Sequence, residues 1–184
     1  MEKDWWGNQV KEILIPEKQI EAKVTELAAR ISEDYRGLNP VIVGVMRGAG
    51  VFHADLIRKI DLNLTIDYIS VSSYGDDTQS SGEVQLLKDL RTALKGQHLI
   101  LVEDIVDTGL TLSFLIRMLS ARNPASLKVC SFLSKPDCRR IDVDIDYLGF
   151  EIPDRFVVGY GLDFRQNFRN LPFLAVLHGE DNHE

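Results

Sequence analysis

Three carboxylates and a Thr-Gly pair lie close together in residues 99–111, LILVEDIVDTGLT. The segment starts as an apolar run typical of a buried strand, which ends in the adjacent acids Glu103 and Asp104, with Asp107 three residues later. Ligands of open α/β sheets bind beyond the carboxyl ends of the strands, so this segment is well placed for a binding site. Backbone N–H groups at the helix start that follows can hold a phosphate, and Gly109 would let the backbone approach it closely.

The three acids would repel a phosphate if they faced it directly. The conflict is removed if the carboxylates face vicinal hydroxyls or a metal ion while the backbone N–H groups face the phosphate. A ribose 5-phosphate carries its groups in this arrangement. The alternative is that the acids are surface partners of a helix N-terminus, which accounts for one or two carboxylates but not for the whole segment. The residue types therefore favour a ribose-phosphate site.

Alternating strand and helix patterns surround this segment and would position it. An apolar stripe at helical spacing predicts an amphipathic helix over residues 16–35. Shorter helices are predicted over residues 51–60 and along the apolar stripe of 112–119. Strands are predicted over residues 41–46, 64–71, 99–102 and 127–133. The runs 41–46 and 99–102 are apolar at every position, as in strands covered on both faces of a parallel sheet. This alternation predicts an α/β fold with a central parallel sheet.

The composition is that of a folded globular chain. Of its 184 residues, 45% are hydrophobic and 27% are charged, which excludes wholesale disorder. A net charge of −7 argues against a general nucleic-acid binder, which would carry a basic face. No apolar run approaches the length of a membrane span, and the N-terminus is charged rather than signal-like. We therefore expect a cytoplasmic protein that partners neither nucleic acid nor membrane.

The two cysteines and the adjacent tryptophans carry weaker signals. Cys130 and Cys138 lack CxxC spacing, so we interpret both as reduced, structural residues. The pair Trp5-Trp6 could pack against the body of the protein or form a subunit contact, and the sequence leaves both open.

The segment 99–111 resembles the phosphoribosyl-pyrophosphate (PRPP) binding motif of the type I phosphoribosyltransferases, and with Asp107 as its third acid it most resembles the hypoxanthine-guanine branch. Further matches extend the resemblance over residues 14–178. It implies the type I phosphoribosyltransferase fold, in which helices flank a mainly parallel central sheet and the N- and C-terminal segments build a small hood. It also implies a single domain over residues 1–184 with a core of about 36–178.

A polar, Gly- and Ser-rich segment follows the second predicted strand, over residues 72–83. Loops of this length inside compact domains are often lids, although the composition alone fits a hairpin tip equally well. The resemblance favours a mobile lid over about 72–84, in which Ser73 and Tyr74 would cover the reacting centre and exclude water.

The resemblance also implies how PRPP would be held. Glu103 and Asp104 would bind the ribose hydroxyls and a Mg²⁺ ion, which prefers oxygen ligands. The 5′-phosphate and ribose would lie against Asp107, Thr108, Gly109, Leu110 and Thr111. Leu110 stands where some relatives have lysine, a change that leaves backbone contacts to the phosphate intact.

Pyrophosphate and purine contacts are implied outside the motif. Arg47 and Gly48, in a turn that often contains a non-proline cis peptide in the family, would bind pyrophosphate together with Arg169. The purine would be bound by Lys135, Phe156, Val157 and Asp163. Of these, Lys135 would hydrogen-bond the six-position oxygen, Phe156 would stack on the ring, and Asp163 would also hold a second Mg²⁺.

The reaction implied is the transfer of the phosphoribosyl group from PRPP to hypoxanthine or guanine. Asp107 would take the proton from the seven-position nitrogen of the purine, and Lys135 would complete the catalytic pair. A xanthine- or pyrimidine-directed phosphoribosyltransferase and a nucleotide-sensing, RNA-binding regulator on the same fold are the alternatives. Members of the family are usually homodimers or homotetramers, so the resemblance implies a homo-oligomer here.

Overall fold

A six-stranded sheet forms the centre of the protein in a computed structural model, which describes residues 5–73 and 84–179. In chain order the helices and strands are β1 (Val10–Ile15), α1 (Glu17–Asp34), β2 (Val41–Met46), α2 (Gly50–Ile57), β3 (Thr65–Ser73), β4 (Val84–Lys88), β5 (His98–Val106), α3 (Leu110–Ser120), β6 (Ser126–Ser134), β7 (Tyr147–Glu151) and β8 (Leu174–Leu177). The sheet has the order β4-β3-β2-β5-β6-β7, and every neighbouring pair is parallel except β3 with β4. The predicted α/β fold with a mainly parallel sheet is confirmed.

Helices cover both faces of the sheet, which explains why residues 41–45 of β2 and 99–102 of β5 are apolar and buried at every position. Successive strand side chains point to opposite faces. Ile42 and Ile100 therefore pack with α1 and α2, whereas the neighbouring residues Val41, Val43 and Leu101 pack with α3. The carboxyl ends of β2, β5 and β6 consequently meet at one edge between the two layers, where the predicted site lies.

Two predicted elements differ in length from those observed. β5 runs on through Val106, so Glu103 and Asp104 lie within the strand rather than beyond its end. The reason is that β6 is equally long and pairs with β5 as far as Ser134. The helix predicted over residues 51–60 ends at Ile57. Ile60 lies in the turn that follows and is nevertheless buried.

The N- and C-terminal segments form the predicted hood, a separate two-stranded sheet in which β1 pairs antiparallel with β8. Trp6 packs edge-on against Phe173 with the ring centres 5.0 Å apart, and Trp5 stacks on Phe168 at 5.9 Å. The tryptophan pair therefore packs against the C-terminal segment of its own chain, and Trp5 remains 49% exposed.

Antiparallel pairing of β3 with β4 brings the two ends of the predicted lid together, since Ser73 is opposite Val84. Tyr74 and the rest of that segment up to residue 83 lie outside the described residues, so the lid remains a prediction. In the described part of the chain, no helix is long and apolar enough to cross a membrane.

Candidate active site

Two adjacent carboxylates on β5 lie at the candidate site, of which Glu103 is buried and Asp104 is partly exposed. Glu103 is 6% exposed, and its Oε2 atom has no hydrogen-bond partner among the described residues. Burial, reinforced by the neighbouring Asp104 carboxylate, raises the pKa of Glu103 well above its usual range. Burial also raises the pKa of Asp104, although Glu103, the Ile105 amide and the charge of Arg169 act in the opposite direction. Glu103 thus lies in the protein with fewer partners than a buried charge normally requires.

The turn after β2 lies directly against this acid pair. The peptide bond between Met46 and Arg47 is cis, as the resemblance implied. A Cβ atom on Gly48 would lie 1.6 Å from Oδ2 of Asp104, and one on Gly161 would lie 2.1 Å from the Gly48 carbonyl oxygen. Both glycines are therefore required by close packing, which holds the predicted pyrophosphate turn between β5 and the C-terminal loop.

The start of α3 has the geometry expected of a phosphate-binding loop. Gly109 has a φ of +82°, which glycine adopts without steric cost, and a Cβ there would lie 2.3 Å from the Ile141 carbonyl oxygen. The Thr108 carbonyl accepts hydrogen bonds from the amides of Arg140 and Ile141 at 2.9 and 3.0 Å. α3 begins at Leu110, so the backbone of residues 108–111 forms a helix N-terminus, which favours anions.

A cavity of about 760 Å³ extends from Asp104 to the C-terminal third of the chain. Among the predicted site residues it is lined by Asp104, Asp107, Thr108, Lys135, Phe156, Val157 and Asp163. The predicted purine residues and the proposed base therefore share one space. Arg47, Gly48 and Glu103 are not in that lining, and Arg169 instead lines a neighbouring cavity of about 450 Å³.

At the purine end, Lys135 is only 8% exposed, so it is not the ordinary surface lysine that its sequence context would also fit. Its Nζ donates to Oδ1 of Asp154 at 3.2 Å, and its backbone amide donates to the Val106 carbonyl at 2.9 Å. Phe156 packs edge-on against Phe164 at 5.7 Å. The lysine and the aromatic ring thus line the cavity from fixed backbone positions.

Asp163 and Arg169 form an ion pair, with Oδ1 and Nη2 2.6 Å apart. The other Asp163 oxygen, Oδ2, accepts from the Gln166 amide at 2.7 Å, and Arg169 Nη1 donates to the Gly161 carbonyl at 2.7 Å. Both carboxylate oxygens of the residue predicted to hold a second metal are thus engaged within the C-terminal loop.

Oxygen ligands of Glu103 and Asp104 suit Mg²⁺ by their chemistry, and the unpartnered Oε2 of Glu103 could serve a cation or a hydroxyl. Nowhere in residues 5–73 or 84–179 do three or more His, Cys, Asp or Glu side chains form a group able to hold a metal. A magnesium ion at this place would consequently need oxygen atoms from a bound substrate as well.

Sequence reasoning missed several residues of the cavity, which lie in the turn after β6 and before β7. Arg139 donates to the Asp107 carbonyl at 3.1 Å and to Oγ of Ser134 at 2.7 Å. Cys138 lines the cavity, where burial and the nearby carboxylates of Asp154 and Asp107 raise the pKa of its thiol to about 12. Because this turn follows a parallel strand, the sheet-edge rule used for residues 99–111 could have identified it.

Comparison with known proteins gives a consistent result. A sequence profile of the phosphoribosyl transferase domain family matches residues 10–165. The chain is 46% identical over 170 residues to the hypoxanthine-guanine phosphoribosyltransferase of Bacillus subtilis, which covers 92% of this chain and 94% of the relative.

Solved structures agree in fold as well as sequence. A hypoxanthine phosphoribosyltransferase from Staphylococcus aureus superposes with a TM-score of 0.92 at 41% identity, covering 96% of both chains. A hypoxanthine phosphoribosyl transferase from Trypanosoma cruzi, studied for the role of its C-terminal region in oligomeric state and activity, superposes with a TM-score of 0.87 at 40% identity and covers 92% of each chain.

Proposed function

Because the chain belongs to the phosphoribosyltransferase family, we propose that it is a purine salvage enzyme of the hypoxanthine-guanine branch. It transfers the 5-phosphoribosyl group of PRPP to a ring nitrogen of hypoxanthine or guanine, which gives IMP or GMP and pyrophosphate. The observation that carries the proposal is that Asp107, Lys135 and Phe156 line one cavity together with Asp104 of β5. A base, a carbonyl-binding cation and an aromatic face are the groups that a 6-oxopurine requires.

PRPP is bound along the edge where β2 and β5 end. The helix N-terminus at residues 108–111 takes the 5′-phosphate, and Glu103 and Asp104 face the ribose hydroxyls. Breaking the bond between C1 and pyrophosphate develops positive charge on the ribose and negative charge on the leaving group. The Arg47 and Arg169 guanidiniums stabilise the departing anion, since fixed charges that face a developing charge lower the barrier.

The purine is held and deprotonated at the other end of the cavity. Lys135 donates to the six-position oxygen, in place of or beside its present contact with Asp154. Asp107 accepts the proton of the seven-position nitrogen as the ring attacks C1, and general-base help of this kind is worth about 10²–10⁴-fold in rate. Arg139 supports that role by holding the Asp107 backbone.

Mg²⁺ is the cofactor that the oxygen ligands of this site suit, with Glu103 and Asp104 as ligands of one ion and Asp163 as a ligand of a second. When bound, it would neutralise charge on the phosphate and pyrophosphate oxygens. The chain's own part is to present Asp104 at the cavity wall and to leave Oε2 of the buried Glu103 without a hydrogen bond among the described residues. Asp163 would need to release at least part of its contact with Arg169.

Assembly, lid and location complete the proposal. We expect a homodimer or homotetramer, as the family resemblance implies, and sedimentation velocity would measure it. The lid over about 72–84 and the single domain of residues 1–184 follow from the family resemblance. The same holds for the cytoplasmic location.

The decisive experiment is a steady-state assay with PRPP and Mg²⁺ against hypoxanthine, guanine, xanthine, adenine and uracil in parallel. Turnover of hypoxanthine or guanine that disappears without Mg²⁺ is the expected result. Turnover of uracil alone would contradict the assignment of Lys135 and Asp107, whereas turnover of xanthine alone would contradict only the preference for hypoxanthine or guanine. Absence of turnover together with tight, salt-sensitive RNA binding would instead identify a nucleotide-sensing regulator.

A further inference from the structure

One neutral side chain joins the two arginines of the predicted pyrophosphate site. Oε1 of Gln166 accepts a hydrogen bond from Nη1 of Arg47 and another from Nη2 of Arg169, each 3.2 Å long. Arg47 follows β2 and Arg169 precedes β8, so these contacts connect parts of the chain 119 residues apart. Sequence reasoning did not identify Gln166, because nothing in its local context distinguishes it from a solvated loop residue.

The loop around Gln166 is built to present this side chain. Arg165, Gln166 and Phe168 have φ values of 51°, 68° and 72°, a left-handed conformation that is unfavourable for non-glycine residues. The Gln166 amide is held by Oδ2 of Asp163 at 2.7 Å. Gln166 thus binds Asp163 through its backbone amide and binds Arg169 and Arg47 through its side chain.

The neutral side chain of Gln166 can hold the two arginines together without removing the positive charge that would bind an anion. Two guanidiniums repel each other, and an acceptor between them offsets part of that cost. Asp163 already neutralises one of the two charges, so a carboxylate at position 166 would leave no net positive charge for an anion. The carboxamide oxygen of Gln166 holds the same two donors and leaves one net positive charge in place.

We propose that Gln166 is a positioning residue that fixes Arg47 and Arg169 in register for the leaving pyrophosphate while preserving their charge. The inference rests on the proposed function for the identity of the anion. Gln166 itself need not touch the substrate, since it acts through the two guanidiniums. It should therefore influence pyrophosphate and PRPP, and leave the purine end of the cavity unaffected.

Two variants of Gln166 separate geometry from charge. Gln166→Met keeps the length of the side chain but removes the acceptor, whereas Gln166→Glu keeps the acceptor and adds a negative charge. Asn167→Ala is the matched control, because Asn167 lies in the same exposed loop and donates to the Arg165 carbonyl instead of contacting either arginine. Thermal unfolding of each variant establishes that it is folded.

Binding of inorganic pyrophosphate with Mg²⁺, measured by calorimetry over a range of salt concentrations, is the primary readout. Gln166→Met should weaken binding by about three- to tenfold, as expected for the net contribution of an ordinary, solvent-exposed hydrogen bond. Gln166→Glu should also weaken it and give a shallower dependence on salt. The KM for PRPP should rise in both variants while the KM for hypoxanthine stays at the parent value, and Asn167→Ala should behave as the parent.

Pyrophosphate affinity in Gln166→Met equal to that of the parent would overturn the inference, as would equal weakening in Asn167→Ala or tighter binding in Gln166→Glu. Failure of the proposed function looks different: the parent protein would then transfer no phosphoribosyl group to any purine. An active parent with an unaffected Gln166→Met variant would remove the role of Gln166 alone.

Discussion

Two strands of the same sheet bury carboxylates in opposite ways. Asp67 on β3 is 7% exposed, yet its two oxygens accept hydrogen bonds from three backbone amides, those of Tyr68, Arg91 and Thr92, each at 2.8 Å. Burial alone would raise the pKa of Asp67, but these hydrogen bonds outweigh it and lower the pKa. Asp67 thereby fastens the segment before β5 to β3.

Glu103 on β5 is equally buried but lacks such partners. One of its oxygens has no hydrogen bond among the described residues, and burial beside Asp104 raises its pKa. This contrast distinguishes a carboxylate that stabilises the fold, here called a scaffold acid, from one that is kept for binding a ligand. A carboxylate that stabilises the fold finds its donors within the chain, whereas one kept for a substrate bears a desolvation cost that the fold does not offset.

The largest effect on activity is expected from replacing Asp107, which is exposed, unlike Asp67 and Glu103. Asp107→Asn should retain substrate binding and lose about 10²–10⁴-fold in kcat, because a general base is removed. Since the Asp107 side chain is exposed, the free energy of unfolding should stay near that of the parent. Stopped assays of nucleotide formation and chemical denaturation measure the two quantities, and unchanged turnover would refute the role of Asp107.

Glu103→Gln tests the ligand-binding side of the comparison directly. We expect the KM for PRPP to rise by about 10- to 100-fold, as for hydrogen bonds to charged groups. The free energy of unfolding should increase by about 0.5–2 kcal/mol, as when a site residue held at the expense of stability is replaced. Loss of stability in urea denaturation, with an unchanged KM, would place Glu103 among the scaffold acids.

Asp67→Asn should give the reverse pattern. The amide would place a donor against backbone N–H groups, so the free energy of unfolding should fall by about 1–3 kcal/mol while kcat of the folded enzyme is retained. Asp144→Asn, at an exposed position, is the control and should change neither quantity. A selective loss of kcat in Asp67→Asn would remove the distinction between the two kinds of acid.

The smallest expected effect is the pH dependence of the free energy of unfolding that Asp67 contributes. Its folded-state pKa is lowered, so its contribution to stability is present above the unfolded pKa of about 3.9 and is lost as the pH falls through the folded pKa. The stability difference between the parent and Asp67→Asn should therefore be constant near neutral pH and shrink below about pH 4. Urea titrations at stepped pH measure it, and a difference that grows with acidification would contradict the interpretation.

The sequence predicted best those elements whose burial is visible over a few residues. β2 is predicted and observed over residues 41–46, because β-branched residues apolar at every position leave few alternatives. α1 is predicted over residues 16–35 and observed as Glu17–Asp34, since its stripe faces the sheet. β1 and β8 were not predicted, although β8 is a run of four apolar residues. The two strands pair across opposite ends of the chain, and no local pattern reveals such a pairing.

The residues of the candidate site also fall into those that a local sequence pattern predicts and those that long-range packing brings together. Glu103, Asp104 and Asp107 belong to one contiguous pattern, whose chemistry can be interpreted from the residue types and their spacing alone. The contributions of Arg139, Asp154 and Gln166 depend on where the turns after β6 and before β8 meet the edge of the sheet. No spacing rule within one segment predicts contacts such as that between Arg47 and Gln166, which depend on long-range packing.

The packing of Trp5 and Trp6 on the C-terminal segment has a spectroscopic consequence. These are the chain's two tryptophans, and they contact Phe168 and Phe173 rather than the central sheet. Selectively excited emission of the unlabelled protein therefore reports on the hood alone, while far-ultraviolet circular dichroism follows the helices and the sheet. The two signals together would show whether the hood detaches before the sheet melts, or whether both are lost in one cooperative transition.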